Sequence, residues 1–116
     1  MTKETVTMYR PTGPNEIKLV EESGFTKWPP RLTGQPIFYP VTNERYAEEI
    51  ARKWNVPDSG KGFVTRFEVK KTFVDKFKIE TVGAKYHTEW WIPAGQLEEL
   101  NENIVGKIDV ISEFGP

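Results

Sequence analysis

Apolar and polar residues alternate, or recur at helical spacing, in short blocks along the chain. Thr5–Arg10 (TVTMYR) alternates with Val6 and Met8 on one side, which predicts a strand ending at Arg10-Pro11. Pro14 opens a helical stretch, Asn15–Ser23. Ile17 and Val20 are at helical spacing with Leu19 beside them, and Gly24 stands where a helix-terminating glycine belongs. Phe25–Pro36 carries Pro29, Pro30, Gly34 and Pro36 and reads as an extended surface loop from which Trp28 and Arg31 project. Ile37–Val41 is a short apolar strand. Thr42 or Asn43 caps the clearest amphipathic pattern of the chain, in which Tyr46, Ala47, Ile50, Ala51 and Trp54 share one stripe. Trp54 is therefore expected in the core of a helix ending near Asn55, with Val56–Lys61 as a loop.

In the second half, Phe63, Thr65, Phe67 and Val69 mark one face of a strand, and Lys70–Lys76 fits a helical turn. Phe77–Val82 and Tyr86–Ile92 read as strands joined in a hairpin at Gly83-Ala84-Lys85. Pro93 starts a short helix carrying Leu97 and Leu100, and Val105–Phe114 closes the chain as a strand. Strands follow one another instead of alternating strictly with helices. The pattern predicts an α+β fold with a mostly antiparallel sheet.

Length and charge narrow the function classes. The 116 residues suit a single domain, 1–116. With 16 Lys+Arg against 17 Asp+Glu, general nucleic-acid binding is not expected. Cysteine is absent, which excludes disulfides, thiolate metal sites and a Cys nucleophile. His87 is the only histidine, no serine stands in G-x-S-x-G, and scattered carboxylates offer no metal-ligand spacing. No apolar run is long enough to span a membrane and Met1–Thr7 is too polar for a secretory signal, so the expected location is the cytoplasm. The 15 aromatic residues (7 Phe, 4 Tyr, 4 Trp) exceed what so small a core needs, and some are candidates to line a ligand surface.

Candidate chemistry concentrates in Tyr86-His87-Thr88-Glu89-Trp90-Trp91-Ile92. Strand alternation puts His87, Glu89 and Trp91 on one face and Tyr86, Thr88, Trp90 and Ile92 on the other. A carboxylate among aromatics is costly unless it is solvated or has a task. Arg10, at a strand end, has the donor fork for phosphate or ribose, or for a surface salt bridge. Phe38 and Tyr39, with Tyr46 one turn into the next helix, can sandwich a flat heteroaromatic ring or simply pack the core. Asp58-Ser59-Gly60-Lys61-Gly62 lacks the spacing of a phosphate loop and precedes a strand, so it reads as a connection.

Three blocks, in order, resemble the ADP-ribosyltransferase family. Tyr9-Arg10 is similar to the family's first motif. Gly34 to Tyr39, with the helix carrying Tyr46, is similar to its glycine-and-aromatic strand and following helix. His87-Thr88-Glu89-Trp90-Trp91-Ile92-Pro93 is similar to its segment around the catalytic glutamate. The pattern is also like that of short bacterial proteins described as ADP-ribosylation/crystallin J1-like. It departs from the arginine-type branch in offering only Thr42 where that branch has Ser-Thr-Ser. It also places His87 where a Gln or Glu precedes the catalytic Glu.

The resemblance implies split, mostly antiparallel sheets around a cleft with flanking helices. NAD would be the substrate, cleaved at its nicotinamide–ribose bond by transfer or by hydrolysis. Glu89 would be the catalytic carboxylate and His87 would orient the ribose or the acceptor. Arg10 would hold the pyrophosphate or the adenosine ribose, and Phe38, Tyr39 and Tyr46 would stack on nicotinamide. The acceptor, a protein or a nucleotide, is not specified. Two alternatives stay open: a binding module of the same fold without turnover, and a related reaction on RNA 2′-phosphate, which the absence of a basic surplus disfavours.

Overall fold

A computed structural model describes residues 4–115. The chain runs β1 (Thr5–Thr12), α1 (Pro14–Glu22), β2 (Ile37–Phe38) and α2 (Glu44–Ile50). A π-helical turn (Ala51–Asn55) leads into α3 (Val56–Ser59). Then come β3 (Gly62–Lys70), α4 (Lys71–Val74), β4 (Ile79–Thr81), β5 (Thr88–Trp90) and β6 (Ile92–Pro93). A 3-10 turn (Ala94–Gln96), α5 (Leu97–Glu102) and β7 (Ile104–Phe114) complete it. It is an α+β fold with antiparallel sheets and several helices.

β3 lies between β1 and β7, β2 pairs with β6, and β4 pairs with β5, all antiparallel. Val41 joins these pieces, bridging to Tyr9 on one side and to Glu89 on the other. β2 stops at Phe38 because Pro40, two residues on, has no N–H to give; its carbonyl still accepts from Trp90 N at 3.0 Å. β1, by contrast, continues through Pro11 to Thr12, beyond the expected end at Arg10. Tyr9 donates its N–H to Val41, away from β3, and position 11 has the same orientation. Proline there removes no bond from the β1–β3 ladder.

The sheet buries both faces. On one, Met8, Phe38, Phe67, Trp90 and Ile92 pack with Val20 of α1, Leu97 and Leu100 of α5, and Trp28. On the other, Val41 and Val64 pack with Tyr46, Ala47 and Ala51. Asn43 caps α2 as expected, its Oδ1 accepting from Tyr46 N at 2.8 Å. α1 starts at Pro14 and its chain leaves through Gly24 at φ 77°, again as the sequence indicates.

Three expectations need correction. Trp28 does not project from its loop: it is 1% exposed, with its ring centroid 5.5 Å from Phe38 and 5.3 Å from Phe67. Asn101 draws the loop inward, accepting from Trp28 N at 2.8 Å and donating to Trp28 O at 2.9 Å. Arg31 is likewise largely buried. Trp54 is 70% exposed, not core. The π turn carries one extra residue, so positions after Ala51 rotate by about 100° relative to an α-helical stripe. The helix also does not end at Asn55: α3 carries it to Ser59, and Gly60 terminates it at φ 86°.

The π turn lies close against β3. A Cβ at Gly62 would stand 2.5 Å from the Ala51 carbonyl oxygen, a backbone atom that cannot swing away. Gly62→Ala is expected to destabilise the protein by about 1–3 kcal/mol, as overpacking does. Urea unfolding of the variant checks this; an unchanged midpoint would show that the helix slides freely on the strand.

Candidate functional site

The site forms where the row Tyr9, Val41, Glu89 crosses the sheet. Residues directly opposite in antiparallel pairs share a face, so these three side chains lie on the side covered by α2. Glu89 is only 8% exposed. Its Oε1 accepts from the Tyr46 hydroxyl at 3.0 Å and its Oε2 from Trp91 Nε1 at 3.0 Å. Trp91 is two residues along the strand, on the same face as the alternation predicts, and is itself exposed; Trp90 and Ile92 are buried on the other side. Among the described residues Glu89 has no cationic partner. The carboxyl group is thus held by two neutral donors, with no ion-pair partner within 4.0 Å among the described residues. Burial, and then the hydrogen bond to Glu89, push the Tyr46 phenol above its usual value, so Tyr46 stays a donor.

His87 stacks on Tyr46 with ring centroids 4.7 Å apart. Its Nδ1 accepts from Ala84 N at 3.0 Å, so the proton of the neutral ring sits on Nε2. Nε2 lies 2.7 Å from Glu49 Oε2 but off the line of its N–H, giving a close electrostatic contact without a linear hydrogen bond. The Tyr86 hydroxyl donates to the other Glu49 oxygen, and this is the main reason the Glu49 carboxyl is held below the ordinary range. Arg45 lies 3.8 Å over the Tyr86 ring. Thr42 and Thr88 join hydroxyls beside this cluster. Glu49 did not stand out in the sequence. Its signal was there, three residues after Tyr46 and so on the same side of α2.

The predicted residues fall into two groups. Glu89, His87 and Tyr46 come together. Arg10 follows Tyr9, so it points to the opposite face. There its Nε and Nη2 donate to Glu16 at 2.6 and 2.9 Å, its Nη1 reaches the Tyr39 carbonyl at 3.4 Å, and its guanidinium lies 4.3 Å over the Phe38 ring. Phe38 is a fully buried core residue, while the Tyr39 ring is exposed. A cavity of about 460 Å3 opens beside Arg10, and another of about 750 Å3 lies between the Pro29–Pro30 loop and α5. Neither is lined by Glu89, Tyr46 or His87.

The Arg10–Glu16 pair gives a pH prediction. Burial acts to raise the Glu16 carboxyl, but the Arg10 charge and hydrogen bonds, with Arg31 behind them, outweigh it and hold it below the usual 4.5. A carboxyl with a lowered folded-state pKa adds stability above its unfolded value and loses it as pH falls through the folded one. Stability should therefore decline below about pH 4.5. In Glu16→Gln that part of the decline should be absent, and neutral stability should drop by about 3 kcal/mol because a buried guanidinium loses its counter-charge. Denaturant midpoints between pH 3 and pH 7 read both effects; parallel profiles for the two proteins would contradict them.

Among the described residues, no helix is long and apolar enough to cross a membrane. No protein-family model, curated protein or solved structure matches the chain.

Proposed function

We propose that the protein cleaves the nicotinamide–ribose bond of NAD, transferring ADP-ribose to an acceptor or to water. The observation that carries this reading is Glu89, a buried carboxylate fixed by two donors and without an ion-pair partner among the described residues. Burying an uncompensated charge is unfavourable for folding. It becomes useful where positive charge develops during reaction, as it does on a ribose losing nicotinamide through an oxocarbenium-like state. Tyr46 and Trp91 aim the carboxylate, and His87 braces Tyr46 by stacking. Trp91, which donates to Glu89, presents an exposed ring that is free to meet a nicotinamide ring. The resemblance of the three sequence blocks to the ADP-ribosyltransferases supplies the substrate class.

A second reading, a binding module of the same fold without turnover, draws on a different observation. Arg10 is committed to Glu16 and faces away from Glu89, so Arg10, Tyr46 and Glu89 do not converge on one cleft, and nothing supports Arg10 as the group that holds the pyrophosphate of an NAD whose ribose meets Glu89.

Calorimetric titration with NAD tests the substrate assignment. Saturable binding is expected, and Glu89→Gln should weaken it far less than it slows turnover, because a group acting mainly in the transition state adds little ground-state affinity. No heat of binding at millimolar NAD would remove NAD from the account.

A further inference from the structure

Glu89 has a second carboxyl group across from it. In the β4–β5 pair Glu80 stands directly opposite Glu89, with Ile79 opposite Trp90 and Thr81 opposite Thr88. Directly opposite residues of an antiparallel pair share a face, and their Cβ atoms lie about 4.5–5.5 Å apart. The row Tyr9, Val41, Glu89 therefore runs on to Glu80, and both glutamates lie on the side of the sheet that carries α2. Ile79 and Thr81, the neighbours of Glu80 in β4, point to the other side.

The two carboxyl groups are held differently. Glu89 is buried and fixed by Tyr46 and Trp91. The Glu80 side chain is 23% exposed, and its one ion-pair contact among the described residues is the exposed Lys78, with Nζ 3.9 Å from Oε1. Like charges directly opposite one another on neighbouring strands work against the pairing, so this register carries a cost in stability. No three His, Cys, Asp or Glu side chains gather closely enough among the described residues to hold a metal ion, so the pair is not part of a cation cage. A fixed, sheltered carboxylate beside a loosely held, solvent-reached one suits chemistry at a glycosidic bond. One faces the cation developing on the sugar, and the other takes the proton of the incoming nucleophile.

We propose that Glu80 is the general base of the reaction assigned to Glu89, accepting the proton of water or of an acceptor hydroxyl as it attacks the ribose. The inference rests on the NAD reading and extends it from the leaving group to the nucleophile. The bond from nicotinamide nitrogen to ribose C1′ breaks, and its electron pair leaves with nicotinamide, which departs neutral. The nucleophile's oxygen bonds to C1′, and its proton passes to a Glu80 oxygen and then to solvent. With water, each NAD consumed gives one nicotinamide, one ADP-ribose and one proton.

The kinetics of Glu80→Gln with NAD, in buffer alone and with added sodium azide, test it. In buffer, nicotinamide release should fall by a factor on the order of 100. Azide attacks as an anion and has no proton to lose. It should raise release by Glu80→Gln about tenfold or more, and release by the wild type by less than about threefold. Glu80→Asp keeps the carboxylate one methylene short and should retain more activity than Glu80→Gln. The urea midpoint of Glu80→Gln should not fall, because glutamine removes a like-charge contact. Release equal to the wild type, a loss that azide does not restore, or a loss that accompanies unfolding would each overturn the proposal while leaving the role of Glu89 standing. Wild-type protein that releases no nicotinamide would remove the NAD reading, and this one with it.

Discussion

Trp28→Ala is expected to destabilise the protein by about 3–5 kcal/mol, a large share of the roughly 5–15 kcal/mol that holds a domain of this size together. Trp28 is 1% exposed and packs against Phe38 and Phe67, with the Arg10 guanidinium 5.5 Å from its ring. Its indole N–H has no acceptor among the described residues, so the loss is one of packing and of the cavity left behind. The loop that carries it has no secondary structure between Phe25 and Pro36 and depends on this anchor and on Asn101. Trp54→Ala is the control. That ring is 70% exposed, and its removal should change stability by less than about 0.5 kcal/mol. Urea unfolding of both variants decides the matter, and equal midpoints would contradict the placement of the two tryptophans.

Glu89→Gln is expected to lower nicotinamide release from NAD by a factor on the order of 100 or more while leaving the fold intact. Glutamine keeps the shape and the oxygen that accepts from Trp91. Its NH2 then faces the Tyr46 hydroxyl, which can turn to accept. Stability should change by less than about 1 kcal/mol, since a buried charge without a counter-ion is lost along with its hydrogen-bond advantage. The pairing of a large kinetic effect with a small stability effect is the signature sought. A variant that unfolds would mark Glu89 as structural, and one that releases nicotinamide at the normal rate would remove it from the reaction.

Elements governed by local rules were legible in the sequence. Pro14 and Gly24 bracket α1, Asn43 caps α2, and a β4–β5 hairpin turns around Gly83-Ala84-Lys85, although its strands span only 79–81 and 88–90 where 77–82 and 86–92 are expected, and Ile92 belongs to β6, paired with β2. Alternation along 87–91 placed Glu89 and Trp91 on one face, which is how the carboxylate comes to meet the indole. Helical spacing puts Trp54 on the core stripe, but the π turn, an insertion that no residue type announces, rotates it out to solvent. Trp28 was misplaced because a proline-rich loop normally stays at the surface; here Asn101, 73 residues away, satisfies its backbone and lets the ring go inside. The separation of Arg10 from Glu89 follows from the Tyr9–Val41–Glu89 register, a long-range pairing that composition and spacing do not encode. Glu49 was missed for a related reason: its partners His87 and Tyr86 come from a hairpin some forty residues later.

The role proposed for the buried Glu89 carboxylate is in a reaction on NAD. Chromatographic detection of nicotinamide, after incubating the wild-type protein with NAD alone and then with candidate protein or nucleotide acceptors, tests it most directly. Nicotinamide formation is expected in proportion to protein concentration and is expected to be nearly absent in Glu89→Gln. NAD that binds yet stays intact under all of these conditions would contradict it and leave the chain as a binding module.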